Sequence, residues 1–280
     1  MNIKNKIKRK FPKFSLFLRL CKENLYIFSK VSRSSEGFLF CGNRSMIKGE
    51  FEKEELKLVK ILLKKTDIFI NIGANVGYYC CVSLSKGNKT IAFEPLLSNL
   101  NYLYRNINVN GWDNDIEIYP LGLGEDKGLG RIFGAGTGAS LIKGYSDIDD
   151  QYSRFIAINT LDNIVGNRLE NSHPFILVDI EGSELSMLKG ANKILNGKNK
   201  PIWMVEICIS ENQPTGVKIN PYLRKTFELF WSYGYKSYMA NNELKLITER
   251  DIDLCCNSEK NILEVHNFIF IDKEKKELFL

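Results

Sequence analysis

Nowhere does this 280-residue chain run for the roughly 18 apolar residues that a membrane-spanning helix requires, so no transmembrane segment is expected. The start does not read as a secretory leader either. Its apolar stretch Phe14-Ser15-Leu16-Phe17-Leu18 is broken by Arg19, Lys22 and Glu23, and no small-residue cleavage site follows. Seven cysteines are present, with Cys80 beside Cys81 and Cys255 beside Cys256, yet none has the C-x-x-C spacing of a zinc or redox pair. A reduced, cytoplasmic protein fits that usage. The chain has only two histidines, His173 and His266, well separated in sequence, so no metal site is expected. His173 reads as surface decoration in a polar loop. His266, beside the last strand, is either structural or within reach of a substrate mouth. Internal repeats, low-complexity blocks and obvious linkers are also absent.

Phosphate-binding turns are missing as well. A dinucleotide fingerprint needs G-x-G-x-x-G, whose middle glycine admits the pyrophosphate. Here the turn is Gly73-Ala74-Asn75-Val76-Gly77, without that glycine, and no Gly-Lys-Ser/Thr follows to make a P-loop. What is there is a short buried strand (Ile68-Phe69-Ile70-Asn71-Ile72), the glycine turn, and a helix from Tyr78. Glu94 comes 21 positions after Gly73, at the end of the next apolar run, where an acid suits a ribose with two free hydroxyls. An adenosine without phosphates points to S-adenosylmethionine. The expected cofactor contacts are Asn71, Gly73, Ala74, Asn75, Gly77 and Glu94, with Glu94→Ala weakening affinity and leaving the fold intact.

Composition is that of an ordinary globular enzyme, with 44% hydrophobic and 26% charged residues. The net charge of +6 is concentrated in Lys4, Lys6, Lys8, Arg9, Lys10 and Lys13, and the rest is nearly neutral, so no nucleic-acid footprint follows. Residues 1–49 read as a basic extension with a helical character. They either rest on an anionic membrane, such as the inner membrane, or on a partner, or they fray. Residues 50–280 then form the main domain.

Periodicity predicts helices over 50–65, 96–110, from 160, from 183 to 197 and over 222–234. Strands are expected at 68–70, 90–93, 116–119, 155–158, 175–179, 202–206, 235–239 and 267–272. The glycine-rich segment 122–144 admits short strands or a loop. The order describes an α/β protein with an open, mostly parallel sheet and one reversed strand at its end.

Three blocks resemble the FkbM family of methyltransferases: Asn71 to Tyr79, then Ala92-Phe93-Glu94-Pro95, then Val178-Asp179-Ile180-Glu181-Gly182-Ser183-Glu184 with Leu188-Lys189-Gly190. Thr160-Leu161-Asp162 is similar to the family's usual lead-in. The resemblance implies a class I, Rossmann-like fold of seven strands with a C-terminal reversed hairpin. It also implies methyl transfer to an oxygen of a sugar, glycan or secondary metabolite. Asn71 departs from the usual aspartate, and Leu177 stands where a lysine is common. A hydroxyl acceptor needs a general base, and the acids at the strand ends are Glu181, Asp179 and Glu206, preferred in that order. Acceptor contacts are expected from segments 37–50, 134–144 and 211–216. The rival readings are a nicotinamide-dependent oxidoreductase and a non-catalytic, glycan-associated protein that keeps the fold.

Overall fold

The computed structural model describes residues 29–134, 136–147 and 153–274. The basic arm of the first 28 residues lies outside the described residues. The chain begins with strands β1 (Ser32–Arg33) and β2 (Leu39–Phe40) and helices α1 (Arg44–Lys48) and α2 (Lys53–Leu63). The central unit follows as β3 (Ile68–Ile72), α3 (Tyr78–Leu84), β4 (Lys89–Phe93), α4 (Leu97–Asn108) and β5 (Ile116–Tyr119). Then come β6 (Gly122–Leu123), β7 (Gly128–Phe133), β8 (Ser153–Asn159) and α5 (Leu161–Ile164). The chain returns through β9 (Pro174–Val178), α6 (Glu184–Lys189), α7 (Asn192–Leu195) and β10 (Ile202–Glu206). Its last elements are α8 (Leu223–Ser232), β11 (Tyr235–Met239), β12 (Leu246–Ile247), α9 (Glu249–Ser258) and β13 (Asn267–Asp272).

The main sheet has eight strands in the order β12-β11-β13-β10-β9-β3-β4-β5. Strands β3, β4, β5, β9 and β10 are parallel, and β13 runs antiparallel to both β10 and β11. Parallel strands are covered on both faces and so read as continuous apolar runs. Pro174–Val178 is buried at every position. Alternate residues feed two cores. Ile70, Ile72, Ile176 and Val178 face one core with α6, α7 and α8, whereas Phe69, Phe175 and Leu177 face the other with α2, α3 and α4.

Three details depart from the sequence reading, and one open alternative is resolved. The expected seven-stranded sheet gains an eighth strand, β12, and the terminal reversed pair is not a tight hairpin, because β12 and α9 lie between β11 and β13. The expected helix over 183–197 is broken into α6 and α7. The break falls at Gly190, where a Cβ would sit 2.1 Å from the Gly124 carbonyl oxygen, so this backbone is pressed against the β6 edge and needs a glycine. The glycine-rich segment takes the strand alternative, forming β6 and β7, which join β8 in a separate three-stranded sheet. Its glycines make room for one side chain, since Cβ atoms at Gly122, Gly124 and Gly130 would each come within 3.0 Å of Ile158. Finally, the described part of the extension, residues 29–49, is strand and short helix packed on the domain.

That packing depends on two asparagines, Asn106 of α4 and Asn110 just past its end. The Asn106 amide accepts from the Cys41 N–H at 2.7 Å and donates to the carbonyls of Cys41 and Val76 at 3.0 and 2.9 Å. Asn110 pairs in the same way with Leu39, at 2.9 and 2.7 Å. Asn106 is fully buried and one of its partners lies in the glycine turn, so it ties the N-terminal strands to that turn. Asn106→Ala is expected to cost about 2–3 kcal/mol, because buried backbone groups lose their partner. A denaturant melt checks this, and an unchanged midpoint would refute it.

Candidate functional site

The chain passes outward from β3 to β4 and β5, then returns to β9 on the other side of β3. Such a switch point leaves a crevice at the carboxyl ends of the strands. The turn after β3 is shaped by two left-handed glycines, Gly73 (φ +85°) and Gly77 (φ +84°), and by Asn75 (φ 52°). The N–H groups of Gly73 and Ala74 both donate to the Phe93 carbonyl, at 3.0 and 2.9 Å. On the other side Gly73 meets the strand-end turn after β9, where a Cβ would lie 1.8 Å from the Asp179 carbonyl oxygen. Only glycine permits that approach. Gly77 faces Leu103 of α4, 2.3 Å from where a Cβ would be, and is a packing residue.

The contact between Gly73 and Asp179 divides the crevice. The first chamber is bordered by Gly73, Asn75, Glu94, Asp179 and Glu181, with Leu121, Ile132 and Ile156 as apolar walls. The inner face of the three-stranded sheet thus forms one side of it. The second is bordered by Asn71, Gly73, Ala74, Asn75, Asp179 and Glu206 together with Glu52.

Glu94 is 4% exposed, and its two carboxylate oxygens accept the N–H groups of Asn75 and Leu96, both at 2.8 Å. It therefore straps the glycine turn to the end of β4 from within. Burial pushes its carboxyl up to about 7, while those backbone donors pull it down. The expectation that Glu94→Ala spares the fold is thereby corrected. Two buried donors would be orphaned, at about 2–3 kcal/mol. A melting curve that matches the parent would contradict this.

Glu181 sits in the left-handed region (φ 53°), which non-glycine residues occupy at a cost, often at functional sites. Its carbonyl is held by the Ser140 hydroxyl at 2.6 Å, and Gly182 beside it packs against Ile142 and Tyr145. Burial, followed by repulsion from Asp179 and Glu184, pushes the Glu181 carboxyl up to about 8. Burial and then Glu206 raise Asp179 well above the usual carboxylate range. Glu206 is pushed up to about 8 by burial, then by Glu181 and Glu52. The crevice is dense in acids that raise one another.

A sequence profile described as "Methyltransferase FkbM domain" matches residues 71–237, more than half of the chain. The chain belongs to the FkbM methyltransferase family. No curated protein matches it. Among solved structures it is similar to the FkbM methyltransferase of Methylobacillus flagellatus KT, at 20% identity and a TM-score of 0.37. That alignment covers 58% of this chain and 42% of the other, so the chain spans less than half of that relative. It is also similar to an O-methyltransferase from Bacillus cereus in complex with SAH, at 10% identity, TM-score 0.42, and 78% and 79% coverage. A third is TYW2 of P. horikoshii in complex with MeSAdo, at 16% identity, TM-score 0.39, and 86% and 69% coverage.

In this FkbM-family chain the sequence-derived residues divide by chamber. Glu94 and Glu181 border the first, Asn71, Ala74 and Glu206 the second, and Gly73, Asn75 and Asp179 both. Asn71, where the family most often has aspartate, is 2% exposed and donates to the Cys80 sulfur at 3.4 Å. Leu177 is buried against the second chamber. Of the expected acceptor segments, Gly136, Ala139 and Leu141 border the first chamber and Met46 the second; the described residues of 211–216 border neither. His173 and His266 are exposed and border neither. Glu52 was not foreseen: it precedes α2 with φ 42° and receives the Tyr79 hydroxyl at 2.7 Å. Glu184 was also missed; it is 3% exposed and accepts the Gly182 N–H at 2.8 Å. Among the described residues no helix is long and apolar enough to cross a membrane.

Proposed function

We propose that this chain transfers a methyl group from S-adenosylmethionine to a hydroxyl of a sugar, glycan or other small metabolite. The observation that carries the reading is the Glu94 strap. It holds an acid at the ribose position beside a glycine turn that lacks phosphate-binding chemistry. The Glu94 carboxylate already receives the Asn75 and Leu96 N–H groups and a hydrogen bond from the Asn99 side chain, and its remaining acceptor capacity is proposed to meet a ribose hydroxyl. Leu121, Ile132 and Ile156 would hold the adenine, and Gly73 and Asn75 the methionine end. When bound, the cofactor supplies a methyl group activated by a cationic sulfur. The acids Asp179 and Glu181 suit that charge, whereas they repel the pyrophosphate of a nicotinamide cofactor.

The protein's own contribution is placement, water exclusion and proton removal. Glu181 is the proposed base. Its carboxyl borders the first chamber, and it is poised near 8, where a base can both lose and accept a proton. Asp179, between the chambers, orients cofactor and acceptor, and Glu206 is the alternative base from the second chamber. The test is transfer of tritiated methyl from labelled S-adenosylmethionine to a panel of sugars and glycans. Label is expected on a hydroxyl oxygen. Firm binding of S-adenosylhomocysteine with no transfer across the panel would favour a non-catalytic role.

A further inference from the structure

The proposed base stands on strained backbone, and the peptide that follows it is gripped at both ends. Glu181 at φ 53° and Gly182 at φ +97° are two left-handed residues in succession. A side chain resists that region, so the turn needs partners outside itself to hold it. The peptide joining the two residues supplies the points of attachment. Its carbonyl, on Glu181, accepts the Ser140 hydroxyl at 2.6 Å. Its N–H, on Gly182, donates to Oε1 of Glu184 at 2.8 Å. The two groups of a trans peptide point in opposite directions, so bonds at both ends fix the rotation of its plane.

The surroundings of Ser140 suit it to this task. It is 1% exposed, and its hydroxyl accepts the Ile142 N–H at 2.9 Å. A hydroxyl has a single proton, and here that proton is given to the Glu181 carbonyl while a lone pair is occupied by Ile142. The Ser140 backbone pairs with Phe133 in both directions, at 3.0 and 2.8 Å, which anchors it to the end of β7. Ile132 of that strand walls the first chamber. Behind the turn, a Cβ on Gly182 would lie 2.8 Å from both Ile142 and Tyr145, so the segment around Ser140 is packed against it. The strand that walls the chamber thus also sets the backbone of the acid beside it.

We infer that Ser140 is a positioning residue, which fixes the peptide between Glu181 and Gly182 and so keeps the Glu181 side chain at the border of the first chamber. This rests on the reading above that Glu181 is the base. Glu184 secures only the N–H end of that peptide. Without the Ser140 hydroxyl, Glu181 is free to relax to a right-handed backbone, which swings its Cα–Cβ bond away from the chamber.

Two measurements on the full chain test this. In the first, glutamate carboxyl carbons are isotopically labelled and titrated by NMR, with the Glu181 resonance assigned by its absence from Glu181→Gln. Burial pushes the Glu181 carboxyl up to about 8 in the parent, and Ser140→Ala should lower its midpoint by about one pH unit or more. Asp179, Glu184 and Glu206, the acids that interact with it, are untouched by the substitution, so a fall reports movement of the carboxyl itself. An unchanged midpoint would overturn the inference. In the second, methyl transfer is followed through a double-mutant cycle. Ser140→Ala should lower kcat by about 10- to 100-fold, the cost of a displaced catalytic group, while S-adenosylhomocysteine affinity holds. In the Glu181→Gln background the same substitution should cost nothing further, because the group it positions is gone. An equal loss in both backgrounds, or one matched by lost S-adenosylhomocysteine affinity, would make Ser140 a structural residue only and overturn the inference. A parent that transfers no methyl group, or a Glu181→Gln chain with full turnover, sinks the base reading instead. The NMR titration needs no acceptor and still decides the role of Ser140.

Discussion

Gly73→Ala is expected to abolish binding of S-adenosylhomocysteine and to destabilise the chain by about 3–5 kcal/mol, the sum of backbone strain and overpacking. Two independent causes converge on this position. The backbone is left-handed at φ +85°, which a side chain resists. The new methyl would also lie 1.8 Å from the Asp179 carbonyl oxygen and 2.9 Å from its carbon, which are backbone atoms that cannot swing aside. Relief requires β3 and β9 to part at their ends, opening the crevice where the chambers meet. Gly77 makes a useful contrast, because its obstruction is the Leu103 side chain, which can change rotamer. Gly77→Ala should therefore be the milder lesion. Thermal melts and calorimetry on both variants check the ranking, and a Gly73→Ala protein with parental melting and affinity would refute the packing described.

Glu181→Gln is expected to lower kcat by roughly 10²- to 10⁴-fold, the usual worth of a positioned base, with little change in cofactor affinity. The pH dependence identifies the group. A base must be ionised to take the acceptor's proton, so kcat of the parent should rise with pH and level off above about 8, where Glu181 has lost its proton. In Glu181→Gln that limb should disappear. If the limb persists while the rate falls, the titrating group is Glu206, which is also held near 8. Unaltered turnover would remove Glu181 from the chemistry.

Much of the scaffold was legible because local pattern and global packing agree. Strands β5, β10, β11 and β13 fall on the residues that periodicity picked out, each in the expected neighbourhood. The left-handed turn at Gly73 and the acid at Glu94 could be read from residue types alone. What could not be read is long-range. No property of Gly190 in sequence says that Gly124 will lie against it at the point where the expected helix divides. Residues 29–49 looked like an extension because their partners, Asn106 and Asn110, are over sixty positions away. Glu52 carries no motif and enters the site only because Tyr79 reaches it across 27 positions. Helix α9 was a different kind of miss. Thr248 and Asp251 form a capping box, a local signal that the sequence did contain.

The central claim is that the first chamber holds an adenosine bearing a charged sulfur and not one bearing phosphates. Calorimetric titration of the full chain with S-adenosylhomocysteine, S-adenosylmethionine and NAD tests it most directly. Saturable one-to-one binding of the two sulfur ligands, lost in Gly73→Ala, with no heat from NAD, is the predicted result. Binding of NAD in preference to both would contradict it.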